Sequence, residues 1–191
     1  EDGYTPPTII TAMLDIPPLS DGAADKPGFY FAHTTLSASV KFLGSTLFKS
    51  NDEGASYKNT KLALPTITMP LGFVVEAPLT TLAAYGGYPE PQRYLVVQFY
   101  RDDVVPQSFT LSDNLQGLGF VLAGEEIIAY RTAELVATRR YKLTGLMRGM
   151  LDTADHAGAQ MVADRVLLLD VGFVEFYKQN SGFIGKPLNY K

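Results

Sequence analysis

RYKLTGLM, Arg140 to Met147, is the stretch whose reading sets the fold class. Its apolar Tyr141, Leu143 and Met147 alternate with Arg140, Lys142 and Thr144, the period of two that sends successive side chains to opposite faces of a strand with one wet face. Leu146 breaks that alternation near the end. Residues 166–169, VLLL, are continuously apolar, which fits a strand covered on both faces or a central sandwich strand; periodicity alone does not separate that from a short helix, and the length of four favours the strand. Working outward, further strands rich in Val, Ile, Tyr, Phe and Thr are expected at 8–16, 28–33, 39–43, 72–76, 93–100, 119–123, 126–132 and 165–170. Gly and Pro punctuate them throughout, which keeps apolar runs at strand length. The expectation is a mainly β chain of antiparallel hairpins forming one or two small β-sandwich or barrel-like units, with little helix. The best short helix is 154–163, capped by Asp155 and weakened by Gly158.

Residues 15–27 and 82–92 read as long loops, a length that usually carries contacts or function. A break near 77–92 would divide the chain into a hairpin module over 1–80 and a β-rich module over 81–191, unless the two form one continuous domain. The 191 residues suffice for a sizeable core, and 46% hydrophobic with 19% charged residues is ordinary for a globular protein. A net charge of -4 and scattered basic residues argue against a nucleic-acid partner. The absence of cysteine excludes disulfides, thiolate metal sites and a cysteine nucleophile. No apolar run approaches the roughly 18 residues of a spanning helix, so no membrane-spanning segment is expected. The chain begins at Glu1 and not at a methionine, as a segment of a longer polypeptide would.

One motif invites a site. SNDEGASY, Ser50 to Tyr57, has the S-x-D-x-G-x-x-aromatic pattern of an Asp-box, known from sialidases and β-propellers. It occurs once, and a propeller repeats its blade signature, so a propeller is not expected. A bland explanation suffices: Ser50 and Asp52 accept backbone N–H groups of the turn, Gly54 takes a positive φ, and Tyr57 packs beneath. Contact with a sugar or metal is the alternative. Exposed Tyr85 and Tyr88, with Arg93 nearby, are the candidate contact residues for a partner or glycan, against plain loop packing. For glycoside hydrolysis two facing carboxylates are needed. Asp102-Asp103 and Glu125-Glu126 would point to opposite sides of an extended chain and read instead as charged loop residues. His33 and His156 lie in no metal or catalytic motif, and no glycine pair makes a phosphate cradle. No catalytic, cofactor or metal residues are assigned.

From Gly119 the sequence reads GFVLAGEEIIAYRTAELVATRRYKLTGLMRGMLDTADHAGAQMVADRVLLLD. Gly124-Glu125-Glu126, Ala133-Glu134-Leu135, Tyr141 to Gly149, His156 to Gly158 and Val166 to Asp170 together resemble the C-terminal part of the tail-tip proteins of gene transfer agents and many tailed phages, often described as host specificity proteins. Upstream, Leu14 to Pro17, Pro27 to Tyr30 and Leu47 to Gly54 are similar to stretches of the same proteins in the same order, as is the ending from Phe183 to Tyr190. The order of the pieces carries the resemblance. The chain departs from the pattern at Met147 and Met150, and at Glu53, where a second glycine is usual. The resemblance implies a β-rich structural module of a tail-tip or baseplate hub, located at the virion tail tip, with other tail-tip subunits as partners and a homotrimer in the full-length protein. It implies no catalytic residues and no cofactor. A host-surface glycan or receptor is the further partner it implies. The alternatives are a carbohydrate-binding module and a glycosidase fragment.

Overall fold

The computed structural model describes residues 8–19, 23, 25–37, 45–64, 69–78, 90–158, 162–169, 174–184 and 186–191. The strands are β1 (Ile9–Leu14), β2 (Gly28–Thr35), β3 (Ser45–Ser50), β4 (Lys58–Leu64), β5 (Leu71–Glu76), β6 (Glu90–Phe99), β7 (Phe120–Ala123), β8 (Glu126–Ala129), β9 (Thr132–Ala137), β10 (Arg140–Leu146), β11 (Arg165–Leu169), β12 (Glu175–Lys178) and β13 (Asn189–Tyr190). Every strand pairing is antiparallel, so the expectation of a mainly β, sandwich- or barrel-like chain holds. The strand expected at 39–43 lies outside the described residues. Among the described residues no helix is long and apolar enough to cross a membrane.

Seven strands form the main sheet in the order β8-β7-β11-β5-β6-β10-β9. Its two edge strands, β8 and β9, are consecutive in sequence with only Tyr130 and Arg131 between them. A flat sheet of seven strands, spaced about 4.8 Å apart, could not place its two edges that close, so this one curls toward closure. The switch occurs at one peptide bond. Tyr130 N–H still donates to Gly119 O on the β7 side (3.0 Å), while Arg131 N–H donates to Thr144 O of β10 (3.0 Å). The strand expected at 126–132 is therefore two strands on opposite edges. Inside the curl, Val74, Leu95, Val97, Phe99, Val121, Ile128, Leu143 and Val166 fill the interior.

Closure also explains Leu146. Gly145 sits at a bulge in β10 with φ +65°, and a Cβ there would lie 2.9 Å from Arg131 Cβ. The extra residue resets the phase, so Leu146 turns inward with Tyr141 and Leu143 and is fully buried. Beyond it, Met147 leaves β10 and pairs with Ala129, each donating to the other's carbonyl at 2.8–2.9 Å.

Two three-stranded sheets stack on this barrel. The inner one, β1-β2-β12, packs Ala12, Leu14, Tyr30, Ala32 and Phe176 against Leu71, Phe120, Leu122 and Leu167 of the main sheet. Its opposite face carries Phe29, Phe31 and Tyr177, which meet Leu47 and Tyr190 of the outer sheet, β13-β3-β4. Phe29 and Phe31 alternate with Tyr30 and Ala32, so β2 is covered on both faces. In β11, Val166 likewise serves the barrel interior and Leu167 the inter-sheet layer.

The helix expected at 154–163 is instead a 3-10 turn over Ala154–His156, with 159–161 outside the described residues. Thr153 precedes that turn and makes no capping bond, because its hydroxyl is used elsewhere. The described α-helix is Leu111–Leu115, where Thr110 and Asp113 form a capping box. Since Phe31 is the largest buried bridge between the middle and outer sheets, Phe31→Ala should cost about 3 kcal/mol or more in urea unfolding. A change below about 1 kcal/mol would mean that the outer layer adds little to the fold.

Candidate functional site

The chemistry most concentrated among the described residues lies at the closure of the barrel. Glu126 opens β8 and has no solvent exposure, and Arg148 follows the Met147 bridge with its side chain 2% exposed. Arg148 Nε donates to Glu126 Oε1 at 2.7 Å and Nη2 to Oε2 at 2.5 Å, a two-pronged pair that suits the planar guanidinium. Gly149 N–H adds a third donor to Oε1 at 2.8 Å. Gly149 itself takes φ +62°, and a Cβ there would come within 2.8 Å of Ala154 Cα, so glycine is required at this position. Thr153 completes the seam: its hydroxyl donates to Met150 O (2.8 Å) and accepts from Ile127 N–H (2.9 Å). Leu151 and Asp152 both have positive φ, so the segment after the pair is held in a conformation that L-residues seldom adopt.

Glu126 is thus not a charged loop residue, as the doublet reading has it, but a buried anchor. Glu125, its neighbour, is exposed and lies 3.2 Å from His156 Nδ1. Asp103 forms an ion pair with Arg101, and Asp102 is exposed. His33 is buried in β2. Neither doublet places two carboxylates across a cleft. Among the described residues, no cluster of three or more His, Asp or Glu side chains is arranged to hold a metal ion.

The Asp-box occupies the β3–β4 turn. Buried Ser50 accepts at Oγ from Gly54 N–H (2.8 Å) and Asp52 N–H (3.3 Å), and donates to Asp52 Oδ1 (2.6 Å). Asp52 accepts from the Ser56 backbone N–H (2.9 Å) and hydroxyl (2.5 Å). Gly54 has φ +95°, and Glu53, at the position where a second glycine is usual, takes φ +56°. Tyr57 lies under Lys191, whose Nζ is 4.1 Å from the ring centroid. The turn therefore spends Ser50 and Asp52 on its own backbone. Tyr85 and Tyr88 lie outside the described residues. Arg93 is half-buried and donates from Nη1 to Pro78 O at 3.1 Å.

Sequence reasoning missed Glu126 and Arg148 as a pair. Its available signal was the Arg148-Gly149 dipeptide following a strand, but nothing local ties it to a carboxylate 22 residues earlier. The family model described as Rcc01698-like, C-terminal, matches residues 74–167. That span runs from within β5 into β11 and covers most of the barrel, including the seam, while β1 to β4, β12 and β13 lie outside it. No curated protein matches the chain.

Two outcomes follow. Removing one partner of the buried pair strands the other charge, so Glu126→Gln or Arg148→Met alone should cost about 3–5 kcal/mol, whereas Glu126→Leu with Arg148→Met should recover most of it. Additive losses in a double-mutant cycle by denaturant unfolding would contradict the pair's role. For Asp52, hydrogen bonds from Ser50 and then Ser56 lower the pKa from 3.8 to about 2. A depressed carboxylate stabilises the fold above its ordinary pKa, and the contribution disappears as pH falls through the folded value. The thermal midpoint should therefore drop less between about pH 4 and about pH 2 in Asp52→Asn than in the parent chain.

Proposed function

We propose that the chain is a structural, non-enzymatic module of a phage or gene-transfer-agent tail tip or baseplate hub, contributing to assembly and to attachment at the host surface. The ordered motifs from Leu14 to Tyr190 supply the setting. The geometric observation that carries assembly is the open edge of the barrel sheet. β9 ends the strand order, and among the described residues no strand pairs with its outer side. Ser108 Oγ covers Ala133 N–H at one end (3.1 Å), leaving the remainder of the strand uncapped by a side chain of that segment.

Edge strands of monomeric proteins are usually blunted by lysine, proline or a covering element, because their free N–H and C=O groups recruit another strand. The sequence of β9, TAELVA, contains neither lysine nor proline; it carries one charge, Glu134, and a register shift at Val136, and it exposes Leu135 (61%) and Val136 (46%). A strand with exposed Leu135 and Val136 and an open edge is suited to addition of a strand from a neighbouring subunit. In this reading Glu126 and Arg148 keep the barrel closed on one side so that β9 stays presented on the other. Leu135→Lys with Val136→Lys, made in the full-length parent, should leave folding intact by circular dichroism and reduce incorporation into particles by about tenfold or more, the effect of losing roughly 1.4 kcal/mol. A parent protein that purifies as a monomer and is absent from assembled virions would refute the reading.

A further inference from the structure

We infer that the outer sheet, with the C-terminal segment folded against it, is a binding surface for an anionic polysaccharide. This deepens the host-surface half of the function proposed above and rests on it. The first observation is a separation of charge along the chain. Six of the nine lysines, Lys49, Lys58, Lys61, Lys178, Lys186 and Lys191, fall in residues 45–64 and 174–191, where the only acids are Asp52, Glu53 and Glu175. That part is basic within a chain of net charge -4, and all seven arginines lie elsewhere.

The second observation is how these lysines are held. Lys49 and Lys58 are direct partners across β3 and β4, a like-charge pairing that costs stability unless an anion offsets it. Lys49 Nζ sits 3.6 Å above the Phe183 ring and donates to Gln179 Oε1 at 3.0 Å. Gln179 Nε2 in turn donates to the Tyr190 hydroxyl at 2.6 Å. Lys186 approaches the same Phe183 ring at 5.8 Å. Among the described residues, none of Lys49, Lys58, Lys178, Lys186 and Lys191 forms an ion pair with a carboxylate. Partial burial lowers the pKa of Lys49, the direction taken by an ammonium with no carboxylate beside it.

The combination selects the ligand class. Ammonium groups without guanidinium forks attract carboxylates or sulfates along a polymer without fixing one geometry. Phe183 and Gln179, the latter bonded in turn to the Tyr190 hydroxyl, hold Lys49 in place beside Lys186, so the charge presented to a polymer is fixed by an aromatic and amide scaffold. The Asp-box turn at the end of this sheet takes no part in binding, because Ser50 and Asp52 are occupied by their own backbone. Tyr57, under Lys191, lies at its margin.

The test uses the purified chain with alginate as a polyuronate probe, neutral dextran as its uncharged control and single-stranded DNA as the competing polyanion. Saturable alginate binding is expected, weakened by added salt. Neutral dextran should not bind, and DNA should bind less tightly than alginate. Lys49→Gln with Lys58→Gln and Lys186→Gln should reduce alginate affinity by about tenfold or more while the thermal midpoint is kept, and Lys142→Gln, on β10, should not change it. Unchanged binding by the triple variant would overturn the inference, as would tighter binding to DNA. Particle incorporation of the unsubstituted parent protein separates the two readings: normal incorporation with no alginate binding removes this surface alone, and failed incorporation removes the tail-tip function.

Discussion

The constraint on which the rest of the structure depends is the curl that brings β8 to the end of β10 in the seven-stranded sheet. β8 and β9 lie at opposite ends of the strand order yet are separated by two residues, so the sheet has to curl until Tyr130 and Arg131 can bond to opposite edges. The bulge at Gly145 steers the end of β10 toward β8, and the Ala129–Met147 bridge closes the gap. The buried Glu126–Arg148 pair, capped by Gly149 N–H, locks that closure. Because desolvating two charges is costly, such a pair adds little net stability compared with apolar residues but strongly disfavours any arrangement that separates its partners.

Closure of the barrel determines what the other layers can do. Its outer face at β7, β11 and β5 is apolar and is covered by the middle sheet, whose own outer aromatic face needs the small β13-β3-β4 sheet as a cover. β2 carries this arrangement, since its alternate residues belong to two different cores. The stacking leaves two surfaces with different chemistry. The β9 edge offers backbone groups and apolar side chains, and the outermost sheet offers ammonium groups over aromatic rings. In the proposed reading the first takes a protein strand and the second an anionic sugar.

Several particulars show where reading the sequence stops. In β10 the alternation of Tyr141 and Leu143 marks the strand correctly, but the apparent defect at Leu146 is a bulge, and a bulge has no local signature beyond a glycine. The apolar run 166–169 announces a strand covered on both faces without saying by what. The 126–132 run looks like one strand because both halves have strand composition; the break between them answers only to sheet closure. The short helix at 111–115 had its signal in Thr110 and Asp113, a capping pair that weak apolar periodicity hides. At 154–156 helix-tolerant residues yield to a turn whose Thr153 hydroxyl is drawn into the seam.

By itself the sequence determined the strand periodicity, the antiparallel β class and the Ser50–Tyr57 turn pattern, because each depends on residues within a few positions of one another. Tertiary structure alone decided that Glu126 is a buried partner of Arg148, that β8 and β9 lie on opposite edges, and that Lys49 and Lys58 lie beside the C-terminal segment carrying Lys186 and Lys191. Those facts depend on contacts between residues far apart in sequence, and which distant residues meet is set by the curl of the sheet and the stacking of its layers.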